Sequence, residues 1–316
     1  MMLDAVALGE LLVDFAMQEA GEDGFPVLAA HPGGAPGNFL AAMNRCGKKT
    51  AMLAKVGEDR FGSLLCESLR QAGIETRGVL RDPEVFTTLA FVTFDARGDR
   101  SFSFARKPGA DTRLRFEELD LSLVDRARVL HFGTLSLTDE PAREATVRAV
   151  AYAKEKGKLI TFDPNLRKPL WPSEEAARAQ MLWGLRQADV VKISDEEADF
   201  LWGCSPEEGA DRLLEEFGVK LAMVTMGPEG CYLKNRTACC YAKGPEVHPV
   251  DTTGAGDIFG GCAVSRILDL EKEPDLLDER ELLYVARFAA TAASLSTEKA
   301  GAIPSIPDRE TVLSYL

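Results

Sequence analysis

The sequence predicts an α/β fold: a mostly parallel sheet covered by helices, with a small β-sheet set into it as a lid. Three observations carry this. Short apolar runs of strand length alternate with amphipathic helical stretches along most of the chain, the rhythm a parallel sheet requires. That rhythm is broken once, between about 87 and 105, by two alternating segments that flank a Gly-containing turn. And one late stretch, Asp251-Thr252-Thr253-Gly254-Ala255-Gly256-Asp257, runs as a glycine-bearing loop straight into a small-residue helix.

Taken in order, Ala5 to Gly9 is a buried-strand run that Glu10 to Phe15 continues, and residues 18–24 are polar and turn-rich. The Gly/Pro loop His31 to Asn38 opens onto a helix from Phe39 to Cys46, stopped by Gly47. Thr50 to Gly57 is a strand, and Phe61 to Ala72 an amphipathic helix ending at Gly73. Next comes the hairpin, Thr87 to Phe94 and Arg100 to Ala105, whose aromatics Phe91, Phe94, Phe102 and Phe104 are expected on an exposed face. Beyond Asp111 the α/β alternation resumes. Strands are expected at 128–133, 159–163, 190–193 and 221–225, with an extended return at 231–233. Helices are expected at 140–156, 173–187, from Ser205-Pro206, and around 257–269, 279–297 and 308–315. The expected division is a core of 1–10, 34–85 and 112–316, with 11–33 and 86–111 forming the lid.

Composition narrows the function. The 316 residues are 46% hydrophobic, enough for one substantial core. A net charge of −13 argues against nucleic acid or an anionic membrane as partner, though not against a nucleotide bound at local helix ends. The seven cysteines include no C-x-x-C pair, and the three histidines, His31, His131 and His248, are scattered, so neither a zinc site nor a disulfide framework is expected. The N-terminus has no basic region ahead of its apolar run, and no run reaches membrane-spanning length, which predicts a cytoplasmic protein.

The chemistry is concentrated at 251–257. A Thr-Gly-Ala-Gly loop entering a helix leaves main-chain N–H groups without intrahelical partners at the positive end of the helix dipole, an anion site. Gly254 and Gly256 let a phosphate approach the backbone, and Asp257 sets a carboxylate beside it, the pairing that phosphoryl transfer to a hydroxyl needs. An ordinary helix cap is the competing, weaker account of the Thr and Asp.

The rest of the chain separates these readings. With its opening Gly9-Glu10-Leu11-Leu12-Val13-Asp14, the loop Pro32-Gly33-Gly34-Ala35-Pro36-Gly37-Asn38 and the stretch 251–257 followed by Gly260-Gly261, the sequence resembles the PfkB/ribokinase family of sugar kinases over nearly its whole length, and its fructokinase branch most. Neither a Walker A sequence nor G-x-G-x-x-G occurs. The resemblance implies a ribokinase-like three-layer α/β/α sandwich. It also implies ATP-dependent phosphorylation of a sugar's primary hydroxyl, with fructose first and 2-keto-3-deoxygluconate, then ribose, behind it. A catalytically silent sugar- or nucleotide-binding regulator is the reading from another class, and retention of Asp257, Gly254 and Gly256 argues against it.

For the sugar, the resemblance implies Asp14 at a strand end, Gly33, Gly34, Asn38 and Arg167, with Arg106 reaching over from the lid. For the nucleotide it implies Lys192, Ser194 and Glu197, then Thr225, Gly227 and Gly230, and the anion loop Gly254-Ala255-Gly256. Ser194 stands where the family often has Asn. Glu197 would act on Mg²⁺ through water. A K⁺ beside the anion loop would draw on Asp251, Thr253, Ser296, Lys299, Gly301 and Ser305. Asp257 at a helix N-terminus is expected to have a lowered pKa. A homodimer joined through the lid is also expected.

Overall fold

The computed structural model describes residues 2–20, 25–94 and 100–316; the expected hairpin turn at 95–99 lies outside them. The described chain runs β1 (Leu3–Leu8), β2 (Leu12–Ala20), β3 (Pro26–Gly33), α1 (Ala35–Arg45), β4 (Thr50–Gly57), α2 (Arg60–Gln71), β5 (Val79–Asp82), β6 (Thr88–Phe94) and β7 (Arg100–Ala105). It continues with α3 (Leu121–Arg126), β8 (Ala127–Gly133), α4 (Ala142–Glu155), β9 (Leu159–Asp163), α5 (Glu174–Gln187), β10 (Val190–Ser194), α6 (Asp195–Trp202), α7 (Pro206–Phe217) and β11 (Leu221–Thr225). It ends with β12 (Cys231–Asn235), β13 (Cys239–Ala242), α8 (Ala255–Asp269), α9 (Glu279–Ser296) and α10 (Arg309–Ser314).

Nine strands form the large sheet in the order β13-β12-β11-β10-β9-β8-β1-β4-β5. All its pairings are parallel except β11 with β12 and β12 with β13. Its central strands are mostly apolar because both faces are covered. In β1, Ala5 and Ala7 join one core and Val6 and Leu8 the other. The first core is completed by α1, α2, α8, α9 and α10, the second by α3 to α7. Local signals set the helix starts. Asp59 accepts from the Gly62 N–H ahead of α2 (2.8 Å), and Ser205 and Asp278 form capping boxes with Glu208 and Glu281 ahead of α7 and α9. The strand order reverses about β1, with β8 on one side and β4 on the other. At such a switch point the loops leaving the carboxyl ends diverge and open a crevice.

The second sheet has the order β3-β2-β6-β7, with β2 and β6 parallel. Residues 10–15 do not prolong β1. The chain leaves the large sheet after Leu8, and β2 belongs to the small one. Asp14 accordingly lies within a strand, not at its end, paired with His31 on one side and Ala90 on the other.

The four hairpin aromatics expected on one face do not all share it. Ala90 pairs with Phe104, and Phe91 with Ser103, so Phe91 and Phe104 point to opposite faces. Phe91 stacks on Phe15 (centroids 5.3 Å apart), which meets Phe61 of α2 edge-on at 5.5 Å. Phe104 lines the crevice instead. The side chains of Phe94 and Phe102 lie outside the described part.

Candidate active site

The crevice holds two cavities. One, of about 510 Å³, lies between the small sheet and the carboxyl ends of the central strands. The other, of about 760 Å³, lies beyond β11 against α8 and α9. Both are walled by Thr252 and Gly256, so they meet at the N-terminus of α8.

That helix begins two residues earlier than expected, at Ala255, with Gly254 as its N-cap in the left-handed region (φ +78°). A side chain at 254 would bring its Cβ to 2.5 Å from Ala302 Cβ, so conformation and space both require glycine. The Ala255 N–H turns back to Thr252 O (3.3 Å), and the next first-turn amides, those of Gly256 and Asp257, have no intrahelical acceptor.

Asp257 is buried in the wall of the first cavity, next to Gly256, which both cavities share. Its carboxylate accepts from two amides: Asn38 Nδ2 at 2.8 Å on one oxygen and Asn165 Nδ2 at 3.0 Å on the other. The expected depression of its pKa is overturned. Burial pushes the carboxyl upward, outweighing the Asn38 and Asn165 donors and the charges of Lys192 and Arg167. A carboxylate whose pKa is raised accepts a proton more readily than an ordinary aspartate.

On the small-sheet side, the first cavity is walled by Asp14, Gly34, Asn38 and Arg167, with Glu10 at its floor. Gly33 packs so tightly beneath Asp14 that a Cβ there would fall 2.1 Å from its Oδ2. Burial raises the Asp14 carboxyl to about 6, against the pull of Arg167. Glu10, given no role in the sequence analysis, accepts from the Ala35 N–H at the start of α1 (3.1 Å), and burial raises it to about 7. A lone carboxylate closing an apolar strand was the available signal.

Arg106 does not reach over this cavity. It is buried behind the wall, its nitrogens bound to Asp111 (2.7 and 2.8 Å), Thr138 Oγ1 (2.7 Å) and Leu135 O (2.9 Å). A guanidinium with these partners is a structural tie.

In the middle of β10, Lys192 Nζ lies 3.1 Å from Asp163 and 2.9 Å from where a Cβ on Gly256 would stand, close to the start of α8. Burial opposes its charge, but Asp163, Glu197 and Asp257 together raise its pKa and hold it as an ammonium. Ser194 is the N-cap of α6, with Glu197 completing a capping box. Glu197 also accepts from the Leu166 N–H at 2.7 Å. Lys192, Ser194 and Glu197 face the first cavity, whereas Thr225, Gly227 and Gly230 line the second.

Asp251 ties the anion loop to the later segment at 301. It accepts from the Thr253 N–H and from the Gly301 N–H, each at 2.9 Å. The Ser296 and Ser305 hydroxyls donate to the carbonyls of Ala293 and Ala302 (2.7 and 2.8 Å). No described cluster of three or more His, Cys, Asp or Glu side chains could hold a metal.

A deep two-lobed crevice, a helix end shared by both lobes and a carboxylate at the junction define a phosphotransferase of the ribokinase-like fold. The chain belongs to the pfkB family of carbohydrate kinases, whose model matches residues 2–309. It is 42% identical to fructokinase-1 of Zea mays over 315 residues, covering 98% of this chain and 97% of the maize protein. Among solved structures it is similar to a Xylella fastidiosa fructokinase with bound ATP (TM-score 0.90, 31% identity, 98% and 97% of the two chains). It is also similar to a double mutant of Vibrio cholerae fructokinase solved with fructose, ADP and a potassium ion (TM-score 0.88, 30% identity, 100% and 99%).

Proposed function

We propose that the protein transfers the terminal phosphoryl group of ATP to the primary hydroxyl of fructose. The observation that carries this is the meeting of two cavities at Thr252 and Gly256 with the Asp257 carboxylate at the junction. The first cavity takes the sugar, with Asp14 and Asn38 accepting from and donating to its hydroxyls and Gly33 and Gly34 beside the ring. The second takes the nucleotide, with Thr225, Gly227 and Gly230 along its wall. Asp257 takes the hydroxyl proton as the oxygen bonds to phosphorus. Amides of 254–257 bear the charge spreading over the transferring group, and Lys192 and Arg167 supply fixed positive charge on either side. The small sheet covers the sugar and keeps water from competing as acceptor.

Mg²⁺ neutralises the nucleotide phosphates when bound. Glu197 suits a contact through water, since each of its oxygens already accepts one main-chain N–H and retains a free lone pair. For K⁺, the joined segments around Asp251, Thr253 and Gly301, with main-chain oxygens of Ser296, Lys299 and Ser305 nearby in sequence, offer the hard oxygens that ion takes. An acidic 2-keto-3-deoxy sugar would want a second cation over the ring, and Arg106 is engaged elsewhere. A homodimer joined through the small sheet is consistent with edge strand β3, where Val27, Leu28 and the preceding Phe25 are exposed. Seven free thiols suit a reducing, cytoplasmic compartment, and no described helix is long and apolar enough to cross a membrane.

The test is ADP release measured across fructose, 2-keto-3-deoxygluconate, ribose and adenosine, alongside Asp257→Asn. Fructose should give the highest kcat/KM, and the variant should bind sugar and ATP while kcat falls by orders of magnitude. Near-normal turnover of the variant would remove Asp257 from the role of base.

A further inference from the structure

The loop after β9 presents the second of the two amides that bind Asp257. Asn165 has φ +46°, in the left-handed region where side chains are uncommon and Asn is among the best tolerated. The segment around it is tethered on every side. Asp163 accepts the Asn165 N–H (3.1 Å), Pro164 O accepts the Thr134 N–H (3.2 Å), and Glu197 accepts the Leu166 N–H (2.7 Å). Asp163 itself is held by Lys192. The product of all this constraint is one contact, Asn165 Nδ2 to Asp257 Oδ1 at 3.0 Å.

We infer that Asn165 is a positioning residue for phosphoryl transfer: with Asn38 it clamps the Asp257 carboxylate at both oxygens and keeps it from turning onto the neighbouring cations. This rests on the reading of Asp257 as the base. The physical reason is the company that carboxylate keeps. Lys192 and Arg167 both act on it electrostatically. An unrestrained aspartate there would swing into an ion pair, which would lower its basicity and aim it away from the acceptor hydroxyl. Two neutral amides fix its direction at a smaller cost in basicity, since a neutral donor stabilises the anion less than an ammonium does. The clamp is assembled from three distant parts of the chain, because Asn38 rides on α1, Asn165 on the β9 loop and Asp257 on α8. The side chain is therefore set by tertiary contacts on a backbone shaped to present it.

The test separates the amide from the backbone. Asn165→Gly keeps the left-handed turn and removes the side chain. Asn165→Asp keeps the shape and tolerates the same φ, but cannot donate when ionised. Both should lower kcat about 10- to 100-fold, the penalty of a misplaced catalytic group, with KM for sugar and ATP changed less than about 2-fold. The acid limb of the pH profile should move to lower pH in Asn165→Gly, as the released carboxylate turns onto the cations, and should lie at higher pH in Asn165→Asp, where a like charge is added, than in Asn165→Gly. Wild-type kcat in either variant, or an acid limb in Asn165→Gly that stays put or moves to higher pH, would overturn the inference. Asp257→Asn is run in parallel. If it retains turnover, the reading of the base fails and the inference with it. If it is inactive while Asn165→Gly behaves as wild type, the inference alone fails.

Discussion

Helices α1 and α8 carry the two residues whose hydrogen bond orients the proposed base, and they touch at Gly261. A Cβ built there would lie 2.3 Å from Phe39 O and 2.8 Å from Ala42 Cβ. Both are helix atoms, the first of them backbone, so no rotamer change relieves the clash. Restoring an ordinary contact of roughly 3.5 Å means parting the helices by about 1 Å. Overpacking of this kind costs about 1–3 kcal/mol, and alanine's helix propensity returns about 1 kcal/mol of that. For Gly261→Ala this leaves a net loss of about 2 kcal/mol at the upper end, or a fall in Tm of about 4 °C for a chain of this size. The activity should suffer more. Asn38 immediately precedes Phe39, and Asp257 lies one turn before Gly261, so the same movement stretches their 2.8 Å bond. A misplacement of about 1 Å costs up to about 10²-fold in rate. Gly260→Ala is the internal control. Its Cβ would sit 3.5 Å from Phe39 Cδ2, an ordinary contact, and the variant should keep its kcat and gain up to about 1 kcal/mol. Thermal unfolding and steady-state kinetics on the pair decide the matter. Wild-type Tm and kcat in Gly261→Ala, or equal loss in both variants, would refute the reasoning.

Other consequences can be measured directly. Asp14 accepts hydroxyl hydrogen bonds more strongly when ionised, and burial raises it to about 6. KM for fructose should therefore rise as pH falls below about 6 while KM for ATP stays level; parallel changes in both would argue against Asp14 as a sugar ligand. Glu10 titrates at about 7 in the folded protein against an ordinary 4.5. The native state thus binds more protons in that window, and Glu10 contributes stability at low pH that is lost as pH rises through about 7. Glu10→Gln keeps the acceptor for the Ala35 N–H and should flatten the fall in Tm between pH 5 and pH 8; an unchanged slope would rule out the Glu10 contribution. Replacing K⁺ or Na⁺ by a bulky organic cation should slow turnover by disordering the 251–257 loop, and equal rates in all three would dismiss a functional cation. Light scattering at working concentration should return twice the monomer mass, and a monomer would count against the β3 interface.

Local pattern alone identified the alternation of strands and helices, the interruption by a second sheet and the glycine turn that leads into a helix at 251–257. Each is written in neighbouring residues: apolar runs of strand length, a Gly-containing turn between alternating segments, glycines ahead of a helix. The signature stretches quoted from the sequence carried the family for the same reason. Directions and partners were not legible. Phe91 and Phe104 share a hairpin but not a face, because the pairing register decides which way each points. Arg106 follows the hairpin as a free cation would, yet Asp111, Thr138 and Leu135 claim it from the side of the large sheet. The pKa of Asp257 follows a helix-end rule in sequence and a burial rule in the folded chain. Asn165 acquires its contact only when β9, α1 and α8 converge. Chain neighbours determine local geometry and which groups are present. Desolvation, the choice of hydrogen-bond partner and the aim of a side chain depend on atoms far away in sequence, and for this protein the tertiary structure decided all three.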